Sequence, residues 1–256
     1  MRVTVCELPH EPRALARAWA GLCEHTIRHR AELVLLPEFS MIEALWECKH
    51  FDAERWSAAE ALSAAWLHRL PQLDAPYVVG THPVRVRGRA YNQGFLWSRV
   101  LGVTPLRSKH FLPNEPGGWE GNWFERGDRD FPVFRAGRMT FGLNICTELW
   151  ALETYGAYAR CDVRAVLSPR ATAASTTEKW LSIGAVAAVR SGAFSLSSNR
   201  VDPRGTFGGV GWIIDPNGRT LARTTAKTPF ATEDIDLDAA IESRYAYPRY
   251  VFRRPL

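Results

Sequence analysis

The stretch Glu32-Leu33-Val34-Leu35-Leu36-Pro37 is the clearest strand in the sequence, and Glu38 and Phe39 follow it directly. Continuous apolar runs of this length are typical of parallel strands that are buried on both faces. Pro37 cannot donate a ladder hydrogen bond, so the strand is expected to end there. We therefore expect Glu38 to stand at the carboxyl end of a buried parallel strand, the edge at which α/β proteins bind their ligands.

An alternation of strands and helices runs through both halves of the chain. The predicted strands lie at 2–8, 32–37, 77–81, 84–87, 92–98, 103–106, 138–145, 163–167, 194–198, 211–215, 219–224 and 230–236. The predicted helices lie at 12–30, 52–69, 150–160 and 176–191. This pattern favours an α/β fold with two sheets and helices outside. No linker divides it, so we expect one domain over residues 1–256, with a long functional loop at 108–130.

Composition excludes several classes of protein. The 256 residues carry a net charge of +5, and their charged fraction of 23% is ordinary for a globular chain. The basic residues are scattered, whereas a nucleic-acid binder concentrates them. No apolar run is long enough to span a membrane, and the N-terminus lacks a secretion signal. Five dispersed cysteines without a C-x-x-C pair predict a cytoplasmic protein without a disulfide framework.

The histidines and glycines narrow the chemistry further. The last of the seven histidines is His110, whereas papain-type and nucleophile-elbow hydrolases place their histidine after the nucleophile. The sequence has no P-loop and no dinucleotide-binding glycine motif. His25 and His29 share a helical face, but a third metal ligand is not apparent. We therefore expect no metal and no cofactor.

Three reactive side chains are predicted at strand ends. Glu38, Lys109 and Cys146 each follow a predicted strand, and together they supply a base, a cation and a nucleophile without histidine. Each residue alone has an ordinary explanation: a helix-start carboxylate, a solvated lysine and a core cysteine. Their shared position favours a catalytic site.

Several separated segments resemble the motifs of the nitrilase superfamily of carbon–nitrogen hydrolases, over roughly residues 2–237. The segments are 35–39 for the glutamate motif, 91–92 with 108–113 for the lysine motif, 120–128 for a further glutamate, 142–148 for the nucleophile, and 198–200 with the turn 215–218 downstream. Their order along the chain matches that of the family. The chain is identified on this basis as a member of the superfamily.

The resemblance implies a four-layer α-β-β-α sandwich and a Glu38–Lys109–Cys146 triad. It implies hydrolysis of the C–N bond of a small amide through a thioester on Cys146, with Lys109 lowering the pKa of the thiol. The backbone N–H of Thr147 and the Lys109 ammonium are expected to stabilise the developing oxyanion. Glu120 is expected to hold the substrate nitrogen or to orient Lys109; the alternative is a surface charge on the loop.

Departures from the family pattern bear on the substrate. Trp150 stands where an arginine is usual, which disfavours N-carbamoyl amino acids. Arg170 is expected either to bind an anionic substrate group or to form a structural ion pair. Arg190-Ser191 replaces a usual Glu-Asn, and nothing in the sequence explains that reversal. Aromatic residues near the predicted pocket would suit an apolar acyl group, although at least half should be packing only: Phe111, Trp119, Trp123 and Trp150.

Several alternatives stay open at this point. Nitrile hydrolysis and N-carbamoyl hydrolysis are the alternative reactions, and a glutaminase subunit or a catalytically silent binding protein on the same fold are further possibilities. The apolar stretch 245–256, with tyrosines at 245, 247 and 250, predicts a segment that packs across the interface of a homodimer. The expected partners are therefore a small amide or nitrile and a second copy of the chain, without nucleic acid or membrane.

Overall fold

Residues 1–252, which the computed structural model describes, form twelve strands and six α-helices. The strands are β1 (Arg2–Leu8), β2 (Leu33–Leu35), β3 (Tyr77–Val86), β4 (Arg89–Ser98), β5 (Gly102–Ser108), β6 (Val133–Ala136), β7 (Met139–Leu143), β8 (Ala165–Arg170), β9 (Phe194–Arg200), β10 (Trp212–Ile214), β11 (Thr220–Arg223) and β12 (Phe230–Asp234). The helices are α1 (Pro12–His29), α2 (Ala53–Leu67), α3 (Glu120–Trp123), α4 (Glu153–Arg160), α5 (Thr177–Ser191) and α6 (Leu237–Ser243).

The strands form two mixed sheets that are joined at one corner. The first sheet runs in the order β12-β1-β2-β3-β4-β5, with β1, β2 and β3 parallel. The second runs β6-β7-β8-β9-β10-β11, with β7, β8 and β9 parallel. Glu7 and Leu8 of β1 pair in parallel with Asn199 and Arg200 of β9. The carboxyl ends of both parallel sets therefore meet at the same edge of the molecule.

Three apolar layers separate the sheets and helices. Alternate residues of β2 face opposite sides: Leu35 packs between the sheets, and Val34 packs under α1. The inner layer also contains Leu143 and Leu167 of the second sheet. A third layer beneath α4 and α5 includes Tyr158. These layers confirm the expected α-β-β-α sandwich, and they explain why a strand buried on both faces has no polar position.

Local signals set the ends of α1. The Glu11 carboxylate accepts hydrogen bonds from the backbone N–H groups of Arg13 and Ala14, and Pro12 occupies the first helical position. Both features are typical of helix starts. Arg30 ends the helix in the left-handed region, at φ 51°. Among the helices of residues 1–252, none combines the length and the apolar character that a bilayer crossing requires.

Several predicted elements differ from the structure. The strands predicted at 77–81 and 84–87 are one strand, β3, because β2 pairs only with residues 77–79 and leaves Pro83 an open side. β6 was missed because it is short and only partly buried. The segment 108–130 contains the short helix α3 and so is not structureless, and α6 was not predicted.

The C-terminal segment is anchored to the body of the protein and also exposes apolar side chains. The Arg249 guanidinium donates hydrogen bonds to the carbonyl of Pro216 and to Asn217 Oδ1, both at 2.8 Å. Arg190 lies over the ring of Phe252, 4.5 Å from its centroid. This contact gives the unexplained cation at position 190 a structural role. The remainder of the predicted interface segment, residues 253–256, lies outside the described residues.

Candidate active site

Glu38 and Cys146 approach the same edge of the molecule from different sheets. Glu38 lies three residues beyond β2, and Cys146 lies three residues beyond β7. The backbone N–H of Glu38 donates to the carbonyl of Arg170, the last residue of β8, at 3.2 Å. The loops of the two sheets are thereby in direct contact. Phe39, which directly follows Glu38, and Cys146 both have positive φ, 45° and 49°, so the chain turns sharply beside the acid and at the thiol.

Lys109 links two buried carboxylates. Its Nζ lies 2.9 Å from Glu38 Oε1 and 2.8 Å from each carboxylate oxygen of Glu120. The Lys109 side chain is fully buried, and Glu38 and Glu120 are nearly so. Asn92 Nδ2 donates a further hydrogen bond to Glu38 Oε1, at 2.8 Å. Glu120 is therefore not a surface charge on a loop: its buried carboxylate accepts hydrogen bonds from Lys109 Nζ, and its part in the reaction stays a prediction.

The charges of this network control its protonation. Burial acts to lower the pKa of Lys109, but the carboxylates of Glu120 and Glu38 outweigh it and hold that pKa above its ordinary value. Burial raises the pKa of Glu120 above its ordinary value, against the opposing effect of Lys109. Lys109 is therefore held as a cation between the two carboxylates.

Cys146 is a buried, protonated thiol at rest. The residue begins a 3₁₀ turn over Cys146–Trp150 and is 5% exposed. Burial and then the negative charge of Glu38 raise the pKa of the thiol, and the opposing effects of Lys109 and of the Ala171 N–H are smaller. Lys109 does act to lower the thiol pKa, as expected, but burial and the Glu38 carboxylate outweigh it. A base must take the proton.

A second buried ion pair braces the site. Glu148 accepts two hydrogen bonds from the Arg107 guanidinium, and its oxygens also accept from the backbone N–H groups of His110 and Ile145, at 2.7 and 2.9 Å. These donors come from the segments on either side of Lys109 and from the turn before Cys146. One carboxylate therefore fixes the two segments relative to each other.

The residues expected to bind substrate differ in their surroundings. Thr147 follows Cys146 in the 3₁₀ turn and is partly buried, while Trp150 is 45% exposed and packs on the ring of Trp180. Arg170 is buried, and its guanidinium donates to the hydroxyls of Ser197 and Thr172 and to a carbonyl, at 2.6–2.7 Å. Contact with an anionic substrate stays a prediction for Arg170, and these hydrogen bonds favour a structural role instead.

The nearby aromatic residues divide between packing and the surface. Trp123 is buried in an apolar cluster with Phe39 and Phe124, and its Nε1–H donates to the carbonyl of Cys48. Phe111 and Trp119 are partly buried. Within residues 1–252, no group of three or more His, Cys, Asp or Glu side chains is arranged to hold a metal ion.

Sequence reasoning missed the roles of three residues. Asn92 belongs to the segment that resembles the lysine motif, but only the structure shows that its amide donates a hydrogen bond to Glu38. Arg107 and Glu148 are charged residues two positions from Lys109 and Cys146, and their pairing is long-range. For Arg107 and Glu148 the available signal was a charged residue two positions from a candidate catalytic residue; for Asn92 it was a polar residue within a predicted strand.

Known structures share this fold from end to end. A carbon–nitrogen hydrolase from Helicobacter pylori G27 superposes with a TM-score of 0.86 at 19% identity, covering 99% of this chain and 95% of that one. XC1258 from Xanthomonas campestris, a CN-hydrolase superfamily protein with an arsenic adduct in its active site, gives 0.79 at 17% identity, with coverages of 100% and 98%.

A third structure is a mutant of the amidase from Nesterenkonia sp. AN1, which carries the acetamide moiety of fluoroacetamide on its active-site cysteine. Its TM-score is 0.77 at 19% identity, with coverages of 100% and 97%. Comparison with curated protein sequences gave no match. The family model for carbon-nitrogen hydrolases matches residues 2–245. Because that match spans nearly the whole sequence, this chain belongs to the carbon–nitrogen hydrolase family, within the nitrilase superfamily.

Proposed function

We propose that this protein is an amidase that hydrolyses the C–N bond of a small amide through a thioester on Cys146. The observation that supports this most directly is the buried network of Glu38, Lys109 and Glu120, whose charges all act on the Cys146 thiol. Burying three ionisable groups is costly, and their placement beside one thiol favours a chemical role over a purely structural one. This placement suits a site that moves protons.

Glu38 is the proposed general base of acylation. It takes the Sγ–H proton of Cys146 as the sulfur bonds to the amide carbon, and the carbonyl electrons move onto oxygen. The tetrahedral intermediate then collapses: the C–N bond breaks, and Glu38 returns the proton to the departing nitrogen. The products of this half-reaction are ammonia or an amine and a thioester on Cys146.

Deacylation reverses the proton path with water as the nucleophile. Glu38 takes a proton from water as the water oxygen bonds to the thioester carbon. The C–S bond breaks, the carboxylic acid leaves, and Glu38 returns its proton to the sulfur. Acylation removes one proton from the site with the departing nitrogen, and deacylation restores it from water, so the full cycle regenerates the thiol and the Glu38 carboxylate.

Lys109 is proposed to stabilise the oxyanion mainly as a fixed positive charge. Its Nζ already donates to both glutamates, so it is held in place before the reaction starts. Preorganised charge of this kind is effective in a buried site, because no solvent has to reorganise. The backbone N–H of Thr147 is the proposed hydrogen-bond donor to the same oxygen.

A panel of amides, nitriles and carbamoyl compounds tests this proposal through ammonia release. We expect turnover of small amides, trapping of an acyl adduct on Cys146 by mass spectrometry, and complete loss of both in Cys146→Ala with the fold retained. Cys161→Ala, which changes an exposed cysteine, is the matched control and should behave as wild type. Full activity in Cys146→Ala, or a folded wild type inert on the whole panel, would contradict the proposal.

The other outcomes of this panel identify the alternatives. Release of ammonia from nitriles alone assigns a nitrilase. Turnover of glutamine only alongside a synthetase assigns a glutaminase subunit. A catalytically silent binding protein is indicated when iodoacetamide labels Cys146 and the unlabelled protein turns over no compound of the panel.

We also propose that the protein is a homodimer. Tyr247, Val251 and Phe252 are at least half exposed on the C-terminal segment, and such a cluster of apolar side chains is typical of an interface. We expect a dimer in sedimentation at micromolar concentration, and a monomer for Tyr247→Ser combined with Phe252→Ser. Val100→Ser, which changes an exposed turn, should remain dimeric. A monomeric wild type would overturn the proposal.

A cytoplasmic location is the last part of the proposed function. The five cysteines are free thiols, and Cys161 is exposed. Unpaired exposed thiols are typical of proteins in a reducing compartment. Fractionation of cells that produce the protein tests this.

A further inference from the structure

The two oxygens of the Glu38 carboxylate have different surroundings. Oε1 accepts hydrogen bonds from Lys109 Nζ at 2.9 Å and from Asn92 Nδ2 at 2.8 Å. Oε2 is buried and has no hydrogen-bond partner among the described residues. A buried carboxylate oxygen without a donor is costly, and such atoms are concentrated at sites with a function. Oε1 is therefore fixed by two hydrogen bonds, whereas Oε2 is available to accept a proton.

Asn92 is hydrogen-bonded to both Glu38 and Lys109. The residue is fully buried on β4, opposite Pro83 of β3. Its side chain donates to Glu38, and its backbone carbonyl accepts from the Lys109 N–H at 2.8 Å. Because an ionised carboxylate only accepts hydrogen bonds, the amide must present Nδ2 to Glu38. Glu38 and Lys109 are thus both positioned by one residue of strand β4.

We propose that Asn92 is a positioning residue that holds Glu38 by Oε1, so that Oε2 alone exchanges protons with the Cys146 sulfur and with the leaving nitrogen. The inference rests on the proposed function and deepens it. In acylation the proton leaves Sγ as the S–C bond forms, stays on Oε2, and moves to nitrogen as the C–N bond breaks. Oε1 keeps its two donors throughout and takes no proton.

Loss of the Asn92 N–H has two physical consequences. The carboxylate is free to rotate about its last bond, so the productive oxygen faces the sulfur for only part of the time. The ionised form of the acid also loses a donor, which makes protonation easier. The acidic limb of the rate profile should therefore move to higher pH.

The variants Asn92→Leu and Asn92→Asp test the proposal. Leucine has a similar size and removes the donor without adding charge; aspartate is nearly isosteric and replaces the donor with a second carboxylate. Ser195→Ala is the matched control, because it removes a buried strand hydrogen bond, from Trp212 Nε1, away from the site. Two readouts are measured across pH: kcat and KM with an amide, and the rate of Cys146 alkylation by iodoacetamide, followed by mass spectrometry.

We expect Asn92→Leu to lower kcat by about tenfold or more, to leave KM within about twofold, and to move the acidic limb of both profiles upward. Asn92→Asp should move the limb in the same direction, which keeps the test available when the leucine variant does not fold. Ser195→Ala should move neither profile. A folded Asn92 variant with the limb and kcat of wild type would overturn the assignment.

The alkylation profile separates this inference from the proposed function. If no amide is turned over but the alkylation limb still moves in the Asn92 variants, the positioning of Glu38 against the sulfur stands and the amidase assignment fails. If amides are hydrolysed and neither profile moves, the amidase assignment stands and the role of Asn92 fails.

Discussion

Arg107 and Glu148 are 41 residues apart in sequence and form a two-point ion pair in the interior, with Arg107 Nη2 2.9 Å from Glu148 Oε1. The Arg107 guanidinium also lies over the ring of Phe131, 4.0 Å from its centroid. The pair joins the end of β5, two residues before Lys109, to the turn that contains Cys146. The relative placement of these two reactive residues therefore depends on a contact that neither of them makes.

Breaking this pair on one side should destabilise the fold. Arg107→Met leaves the Glu148 carboxylate buried without its cation, and we expect the free energy of unfolding to fall by about 3–5 kcal/mol. The double variant Arg107→Met with Glu148→Gln removes both charges and should recover part of that loss. Urea unfolding of the three proteins checks this, and a double variant no more stable than the single one would count against the argument.

Lys109→Arg should abolish turnover. The fully buried ammonium makes short contacts to Glu38 and Glu120, and a planar guanidinium is both larger and unable to reproduce them. We expect no acyl-enzyme by mass spectrometry, whereas Lys179→Arg, which changes an exposed lysine, should leave the rate unchanged. Measurable acyl-enzyme in Lys109→Arg is the outcome that the proposed role does not allow.

Glu120→Gln should lower kcat by about a hundredfold and leave KM nearly unchanged. The amide keeps the size of the side chain but removes the negative charge that most strongly holds up the pKa of Lys109. Glu125→Gln, in the exposed part of the same loop, is the control and should match wild type. Steady-state kinetics on both variants decides the matter: equal rates would assign Glu120 no part in the reaction.

Stability should fall in acid because of His82. Burial lowers the pKa of His82 to about 4, against a smaller opposing effect of Gln93, while the unfolded chain takes up a proton near the ordinary value of 6.5. The contribution is therefore present above about pH 6.5 and lost as the pH falls to about 4, by about 2–3 kcal/mol.

His82→Gln tests this dependence, because it cannot titrate. Urea unfolding between pH 7 and 4 should give a flatter profile for this variant than for wild type, whereas His50→Gln, at an exposed site, should keep the wild-type slope. Parallel profiles for wild type and His82→Gln would show that the imidazole is not the cause.

The sequence was most informative where a strand is buried on both faces. Leu33–Leu35 and the run before Cys146 are buried on both faces, so both segments were recognisable as strands. The places where they end, and hence the positions of Glu38 and Cys146, were therefore predictable. Long-range pairing was not predictable in the same way. Whether Glu120 bonds Lys109 depends on where α3 places it, and the partner of Glu148 is a residue on another strand.

The net pKa of the thiol was not predictable in the same way. The motifs indicate only that Lys109 acts to lower it, and this effect is present but outweighed. The observed balance depends on how much water the fold removes and on how close two carboxylates lie, and neither quantity can be derived from motif spacing. The burial of Arg170 is a similar case, since its hydroxyl partners come from another strand and from the following loop.

Glu38 follows a strand of the first sheet and Cys146 follows a strand of the second. The apolar core between the two sheets therefore sets the distance between the acid and the thiol. Packed sheets lie about 10 Å apart, and a filling at crystal-like density resists compression. Removing a methyl group from Leu35 or Leu167 would therefore leave a cavity between the sheets and loosen the relative placement of Glu38 and Cys146. Aliphatic side chains that do not contact the substrate therefore influence the reaction rate, because they fix the relative position of Glu38 and Cys146.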